Sequence, residues 1–360
     1  AGHKAHKLDS RKRRGYVYTD HKPLAQLDLD VNGKHRVLTD ERENAVKWLG
    51  ADGKVVARAE VPSPRGVAVT PTGAVYVITG NQVVQIDQRG RTKTVIRDLT
   101  APMRLAFDAV NRHLLVAEGA GSWQVKRFTR DGRLQNTCGR RGGRLDGPYR
   151  PQDFRDYKDI TADGNGGFFI AESQVAPRRI ARFDADGKLV REWFGGLTFF
   201  APRSIDPRDP TQVWYSTGGG WVLAKVDYEK RTWSVLETHR MTGKAGGLSR
   251  DLGNRRAFVV RYHEGERYLV GESFPPMVYR HRNGQLRPVV IGNRGRHFPQ
   301  AKAVARIMLG TNDEKAVQAW IRKHLGKKTR NKNTYLWTDK NGDHEPQAAE
   351  ITLHKLGNVY

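Results

Sequence analysis

One phrase, written six times with drifting spelling, constrains this chain more than any single residue does. A short alternating strand, a turn pair and a second strand occupy residues 44–56, 81–90, 123–134 and 179–190, with weaker copies at 222–231 and 278–286. In the clear copies the turn is Asp52-Gly53, Arg89-Gly90, Asp131-Gly132 or Asp186-Gly187. Apolar and polar residues alternate before a glycine that supplies positive φ, so each copy reads as a β-hairpin.

A further apolar run precedes every hairpin: His35–Thr39, Ala74–Ile78, His113–Ala117, Gly167–Ala171, Val213–Ser216 and Arg267–Gly271. Another strand and turn come earlier still, clearest at Gly66–Val77. That makes four strands per repeat. Gly53, Gly90, Gly132, Gly187 and Gly284 recur at roughly 40 to 55 residues once the degenerate turn at Lys230 and Arg231 fills the last gap, and this period suits propeller blades. A helical solenoid of similar period needs a 3.6-residue apolar spacing, which these repeats lack. The expected fold is all-β: a β-propeller of four-stranded blades, six by the count of phrases, with seven left open.

The pattern breaks after Gly295. Ala303–Leu309 and Asp313–Leu325 read as helices, the second with Ala316, Val317, Trp320, Ile321 and Leu325 on one face, N-cap candidates at Thr311, Asn312 and Asp313, and a stop at Gly326. Strand character returns at Thr334–Trp337. The expected division is a flexible basic arm at 1–15, blades over 16–295, a helical insertion at 296–333 and last-blade strands at 334–360. A strand around Tyr16–Tyr18 is placed to close the last blade, which would remove exposed sheet edges.

Gly66–Val77 followed by Asn81 and Val83 resembles an NHL repeat, and Asp40, Asn44 and Val46 match the end of the same pattern, with Ala45 where that family has Arg. With the loop Gly142–Tyr149, the Asp206–Pro210 segment and the phrase Trp337–Asp343, the chain resembles large secreted bacterial NHL-repeat proteins that carry an EF-hand or dockerin-like calcium loop. The resemblance implies a secreted or periplasmic protein. A chain starting at Ala1 without Met fits a cleaved signal peptide or a trimmed sequence. Propellers host many activities, so the resemblance bears on fold far more than on function.

The calcium-like loop runs from Asp339 to Glu350. Asp339, Asn341, Asp343, Glu345 and Glu350 stand at positions 1, 3, 5, 7 and 12, the oxygen spacing that Ca2+ requires. His344 occupies position 6, where such loops place glycine. Calcium is therefore the expected cofactor, and a polar surface turn is the plain alternative.

Charge points to partners. The 360 residues hold 63 Lys and Arg against 38 Asp and Glu, a formal net charge of +25 that favours acidic polymers. Arg140, Arg141 and Arg144 share one inter-blade loop with Tyr149, and Arg178 and Arg179 lie in another. Guanidinium forks suit carboxylate, sulfate or phosphate, and nearby aromatics suit sugars or bases. Asp40, Glu118, Glu172 and Glu272 each follow the second strand of a repeat, so they could share one rim and bind a cation, a sugar or basic side chains; local pairing with Arg or backbone N–H is the alternative.

Cys138 is the only cysteine, which excludes intrachain disulfides and cysteine metal centres. No apolar run reaches the roughly 20 residues of a membrane span. Phosphate loops, Gly-x-Ser-x-Gly elbows and His-Glu-x-x-His pairs are missing, and the histidines are scattered. Three readings remain: a non-catalytic propeller binding an acidic polysaccharide or a protein partner, a carbohydrate-active enzyme of the polysaccharide lyase type, and an RNA-binding propeller.

Overall fold

The structure, a computed structural model, describes residues 27–172, 177–195, 201–217, 220–240, 258–271, 277–294, 299–325 and 333–355. The expected strand at Tyr16–Tyr18, the basic arm and Gly326 lie outside these residues.

Each repeat forms one antiparallel sheet whose strands pair in chain order. The first holds β1 (Leu27–Asn32), β2 (His35–Asp40), β3 (Ala45–Leu49) and β4 (Val55–Glu60). The second holds β5 (Pro64–Val69), β6 (Val75–Thr79), β7 (Gln82–Ile86) and β8 (Thr92–Ile96), and the third β9 (Pro102–Asp108), β10 (His113–Glu118), β11 (Val125–Thr129) and β12 (Leu134–Cys138). A two-residue strand, β13 (Gly147–Pro148), precedes the fourth sheet of β14 (Tyr157–Ala162), β15 (Phe168–Glu172), β16 (Arg179–Phe183) and β17 (Leu189–Phe194).

The fifth sheet contains β18 (Ala201–Ile205), β19 (Gln212–Thr217), β20 (Gly220–Asp227) and β21 (Thr232–Arg240), and β13 pairs along the free edge of β21. The sixth contains β22 (Phe258–His263), β23 (Glu266–Gly271), β24 (Met277–Arg282) and β25 (Gln285–Arg294), then β26 (Asn333–Thr338) and β27 (Ile351–Lys355). Four-stranded meanders are thus the rule, and the sixth sheet is longer because the segment after the helices adds two strands.

The turn chemistry is visible in the backbone. Gly132 has φ 93°, and an added Cβ would meet the Val95 carbonyl oxygen at 1.9 Å, so both conformation and space demand glycine. At the degenerate turn Arg231 takes the left-handed conformation itself, with φ 53°.

The chain separates into two compact units. One comprises Ala1–Gly143, Lys158–Ile170 and Arg182–Arg191; the other comprises Arg144–Tyr157, Ala171–Ala181 and Glu192–Tyr360. In the first, strand alternation buries both faces of the second sheet. Val67, Val69, Val75, Val77 and Val84 pack with Val37, Val46 and Trp48. Ala68, Tyr76, Ile78 and Val83 pack on the opposite face with Leu105, Leu114 and Val116. Sheets stacked face to face in chain order are what a propeller of blades requires.

In the second unit, Trp214, Trp221, Phe258, Leu269, Tyr279, Tyr335 and Trp337 form a shared core. Helices α1 (Pro299–Leu309) and α2 (Glu314–His324) pair through Ala301, Ala305, Val317, Ile321 and Leu325. Asp313 caps α2 by accepting the Lys315 N–H, while Arg322, Lys323 and His324 answer the negative end of the helix dipole.

Candidate functional site

The carboxylates at the ends of second strands are drawn inward. Asp40 accepts Lys47 Nζ at 2.8 Å and the Glu43 N–H at 3.1 Å. Burial opposes ionisation of Asp40, but Lys47 and the backbone donor outweigh it and hold its pKa below the usual carboxylate value. Glu118 is fully buried; it accepts Lys126 Nζ at 2.9 Å, Ser122 Oγ at 2.6 Å and the Thr100 N–H at 2.9 Å. In the second sheet Thr79 fills the same role as a donor, reaching the Pro62 carbonyl at 2.6 Å. Each side chain ties the end of a second strand to a neighbouring segment. Glu272 lies outside the described residues.

Glu172 organises the densest of these clusters, within the second unit. Arg144 Nη2 lies 3.0 Å from both of its oxygens, Arg179 Nε donates to Oε2, and the Arg155 N–H donates to Oε1 at 2.7 Å. Arg179 Nη1 continues to Tyr149 Oη at 2.6 Å and to Glu192 at 2.7 Å, and Tyr149 donates to Glu192 at 2.6 Å. Burial raises the pKa of the Tyr149 phenol, so it stays a neutral donor. Burial disfavours the Arg179 cation, yet Glu172, Tyr149 and Glu192 more than compensate and raise its pKa.

Arg144 and Tyr149, which share one loop, thus meet Glu172 and Arg179 from β15 and β16 in an internal network. Arg178 is half-buried, with its carbonyl accepting the Gly195 N–H at 2.9 Å. Arg140 and Arg141 behave differently: both are exposed, and neither forms an ion pair among the described residues. Their turn is pinned at both ends, by Gln124 Nε2 on the Gly139 carbonyl at 2.9 Å and by the Gly142 N–H on the Ser122 carbonyl at 2.8 Å.

In the loop at 339–350, His344 takes φ 62°, the left-handed conformation expected at position 6. Several acidic oxygens accept hydrogen bonds from the loop itself, whereas Asp339 Oδ2 is buried without a hydrogen-bond partner among the described residues. Asp339 accepts the Gly342 N–H at 2.8 Å and faces His344 Nδ1 at 2.6 Å; Asp343 accepts the Glu345 N–H at 2.7 Å and Gln347 Nε2 at 2.6 Å. Glu350, buried, accepts Trp337 Nε1 at 3.0 Å and the Lys340 N–H at 2.8 Å. Asn341 bonds Asp343 and Gln347, and Glu345 is exposed. A calcium ion would have to replace several of these bonds.

One cluster escaped the reading of the sequence. Glu237 and His239 stand two residues apart on β21, so a strand's period of two sets them on one face, and His281 joins them from β24. Both imidazole Nε2 atoms approach Glu237 Oε2, at 2.9 Å from His239 and 2.7 Å from His281. A carboxylate only accepts, so each Nε2 carries a proton in this arrangement. Burial pushes the Glu237 pKa upward, but the two imidazoles prevail and hold it at about 2.

Trp214 lies against both rings, stacked on His239 at 5.7 Å between centroids and edge-on to His281 at 5.5 Å. Glu237 and His281 line an open cavity of about 590 Å³, together with Pro148, Tyr262 and Arg267. A lone Glu-x-His on a strand is a weak signal, and its third member is more than 40 residues away, in the next repeat.

No protein-family model and no curated protein matches this chain. Among solved structures it is similar to virginiamycin B lyase from Staphylococcus aureus, with 14% identity over 74% of this chain and 85% of that one, and a TM-score of 0.37. A streptogramin B lyase structure matches at 12% identity over 73% of this chain and 81% of its own, again with a TM-score of 0.37. Hydrazine synthase from Kuenenia stuttgartiensis matches at 14% identity over 95% of this chain and 99% of that one, with a TM-score of 0.37. Similarity at this level transfers no activity.

Proposed function

We propose that the chain is a six-bladed propeller that binds an acidic polysaccharide without transforming it. The reading rests on one observation: Arg140 and Arg141 stand exposed, with no ion-pair partner among the described residues, on a turn fixed at Gly139 and Gly142. A fixed turn removes the backbone ordering cost of presenting both side chains, and paired forks suit carboxylate or sulfate groups. The buried carboxylates add weight, because Asp40, Glu118 and Glu172 are paired with internal cations and do not offset the exposed Arg140 and Arg141.

Affinity for a sulfated glycan, measured across a salt series, tests this. Replacing both Arg140 and Arg141 with Ala removes up to two ionic contacts and is expected to lower the salt slope by about 1 to 2. Absence of binding at moderate salt, or binding indifferent to both substitutions, overturns the proposal. Stronger affinity for RNA moves the ligand to nucleic acid, and a rise in ultraviolet absorbance from unsaturated sugars replaces binding with lyase chemistry.

A further inference from the structure

We infer that Glu237, His239 and His281 form a site for one divalent transition-metal ion of the zinc type, with a coordination position left open toward the adjoining cavity. The three donor atoms lie within 4.8 Å of one another, the only such convergence of His, Cys, Asp and Glu among the described residues. Two imidazoles and one carboxylate form a borderline ligand set. Zn2+, Co2+, Ni2+ and Fe2+ accept it, whereas Ca2+ and Mg2+ prefer oxygen alone.

The neighbouring chemistry separates this cluster from a structural ion pair. Several other buried carboxylates are met by permanent cations, as Asp108 is by Arg127 at 2.6 Å, Glu118 by Lys126 at 2.9 Å and Asp206 by Arg267 at 3.0 Å; Glu350 is met by Trp337 and backbone donors, and Asp339 faces a single imidazole, His344. Lysine and arginine hold a carboxylate but, as cations, offer no lone pair to a metal. Glu237 is held instead by two imidazoles, the side chains best suited to exchange a proton for a metal.

The geometry needs little adjustment. Tetrahedral zinc with bonds near 2.0 to 2.2 Å sets its donors about 3.3 to 3.5 Å apart, so the present nitrogen–oxygen separations of 2.9 and 2.7 Å must open by roughly 0.4 to 0.8 Å. Rotation of the Glu237 side chain can supply that, while Trp214 restrains both rings. Each imidazole must then present Nε2 as a lone pair, and the proton now donated to Glu237 passes to Nδ1 or to solvent. His239 is the inner ligand, 3% exposed, whereas His281 and Glu237 border the cavity.

Three protein ligands beside open space is the arrangement of a zinc centre that keeps a fourth position for water or a ligand oxygen. The cavity's size suits a small molecule. Its wall is fixed independently, since the Tyr262 hydroxyl lies 3.0 Å from both Asp206 oxygens and also accepts Arg267 Nε at 2.9 Å.

The test uses chelator-treated full chain titrated with Co2+ in the visible range. One equivalent is expected to produce absorption bands that stoichiometric Zn2+ abolishes and excess Ca2+ leaves intact. His281→Gln and Glu237→Gln are expected to weaken Co2+ binding by at least ~100-fold, since loss of a direct ligand exceeds the loss seen on disturbing its supports. Asp343→Asn, and His3→Ala combined with His6→Ala, should leave the titration unchanged. Should His281→Gln fail to fold, X-ray absorption of the zinc-loaded parent replaces it, with two imidazole scatterers expected. Absence of a one-to-one complex, undiminished affinity in the folded His281→Gln protein, or a zinc environment without two imidazoles overturns the assignment.

Discussion

Glu172 and Glu237 are both largely buried, and each is held by two basic side chains, yet the two clusters suit opposite purposes. Around Glu172 the bases are guanidiniums, a backbone N–H completes the set, and Arg179 carries the network onward to Tyr149 and Glu192. Around Glu237 both bases are imidazoles converging on one oxygen beside open space. The first is closed chemically as well as sterically, because arginine stays protonated. The second can release its protons and accept something else. Similar burial therefore marks a staple in one case and a site in the other, and the identity of the base decides which.

The largest expected effect falls on the closed cluster. Glu172→Gln leaves Arg144 buried without its anion and Arg179 with Glu192 alone, and should cost about 3–5 kcal/mol in denaturant unfolding. A loss under ~1 kcal/mol would mean that the network is loosely solvated and that the comparison fails. Metal should not bear on this result, since no imidazole takes part.

Acid should separate the two clusters from the other side. The folded pKa of Glu237, about 2, lies below its ordinary 4.5, so its contribution is fully present above about pH 4.5 and is lost as pH falls toward 2. The parent should therefore lose more stability across that window than Glu237→Gln does, as read by acid titration of far-UV circular dichroism. Equal losses would detach the imidazoles from Glu237.

The smallest expected effect concerns the loop at 339–350. Most of its acidic oxygens already accept hydrogen bonds within the chain, although Asp339 Oδ2 is buried without a hydrogen-bond partner among the described residues, so millimolar calcium should raise the thermal midpoint by less than ~1 °C, the mark of weak linkage. A rise of several degrees that Asp343→Asn abolishes would establish calcium there and make this loop the stronger metal site of the two.

The blades were legible because four-strand repetition leaves a mark at every hairpin, and even the weak copies fall in place, 222–231 on β20 and the turn leading into β21, and 278–286 on β24 and the start of β25. The α2 cap was legible for a local reason, as Asp313 needs only its own next turn. The extra strand β13 was not, since Gly147 and Pro148 pair with Thr238 and Glu237, about 90 residues away, and two residues carry no periodicity. The His–Glu–His cluster was hidden by the same physics. His239 and His281 meet through the packing of strands from successive repeats, and nothing local to either residue announces the other.

Crystals soaked in zinc and measured above and below the zinc absorption edge test the central claim most directly. The account predicts one anomalous peak within about 2.0 to 2.2 Å of Glu237, His239 and His281, with a fourth ligand from the cavity side. A peak only at the loop of Asp339, or no ordered peak among the three residues at full zinc loading, would contradict it.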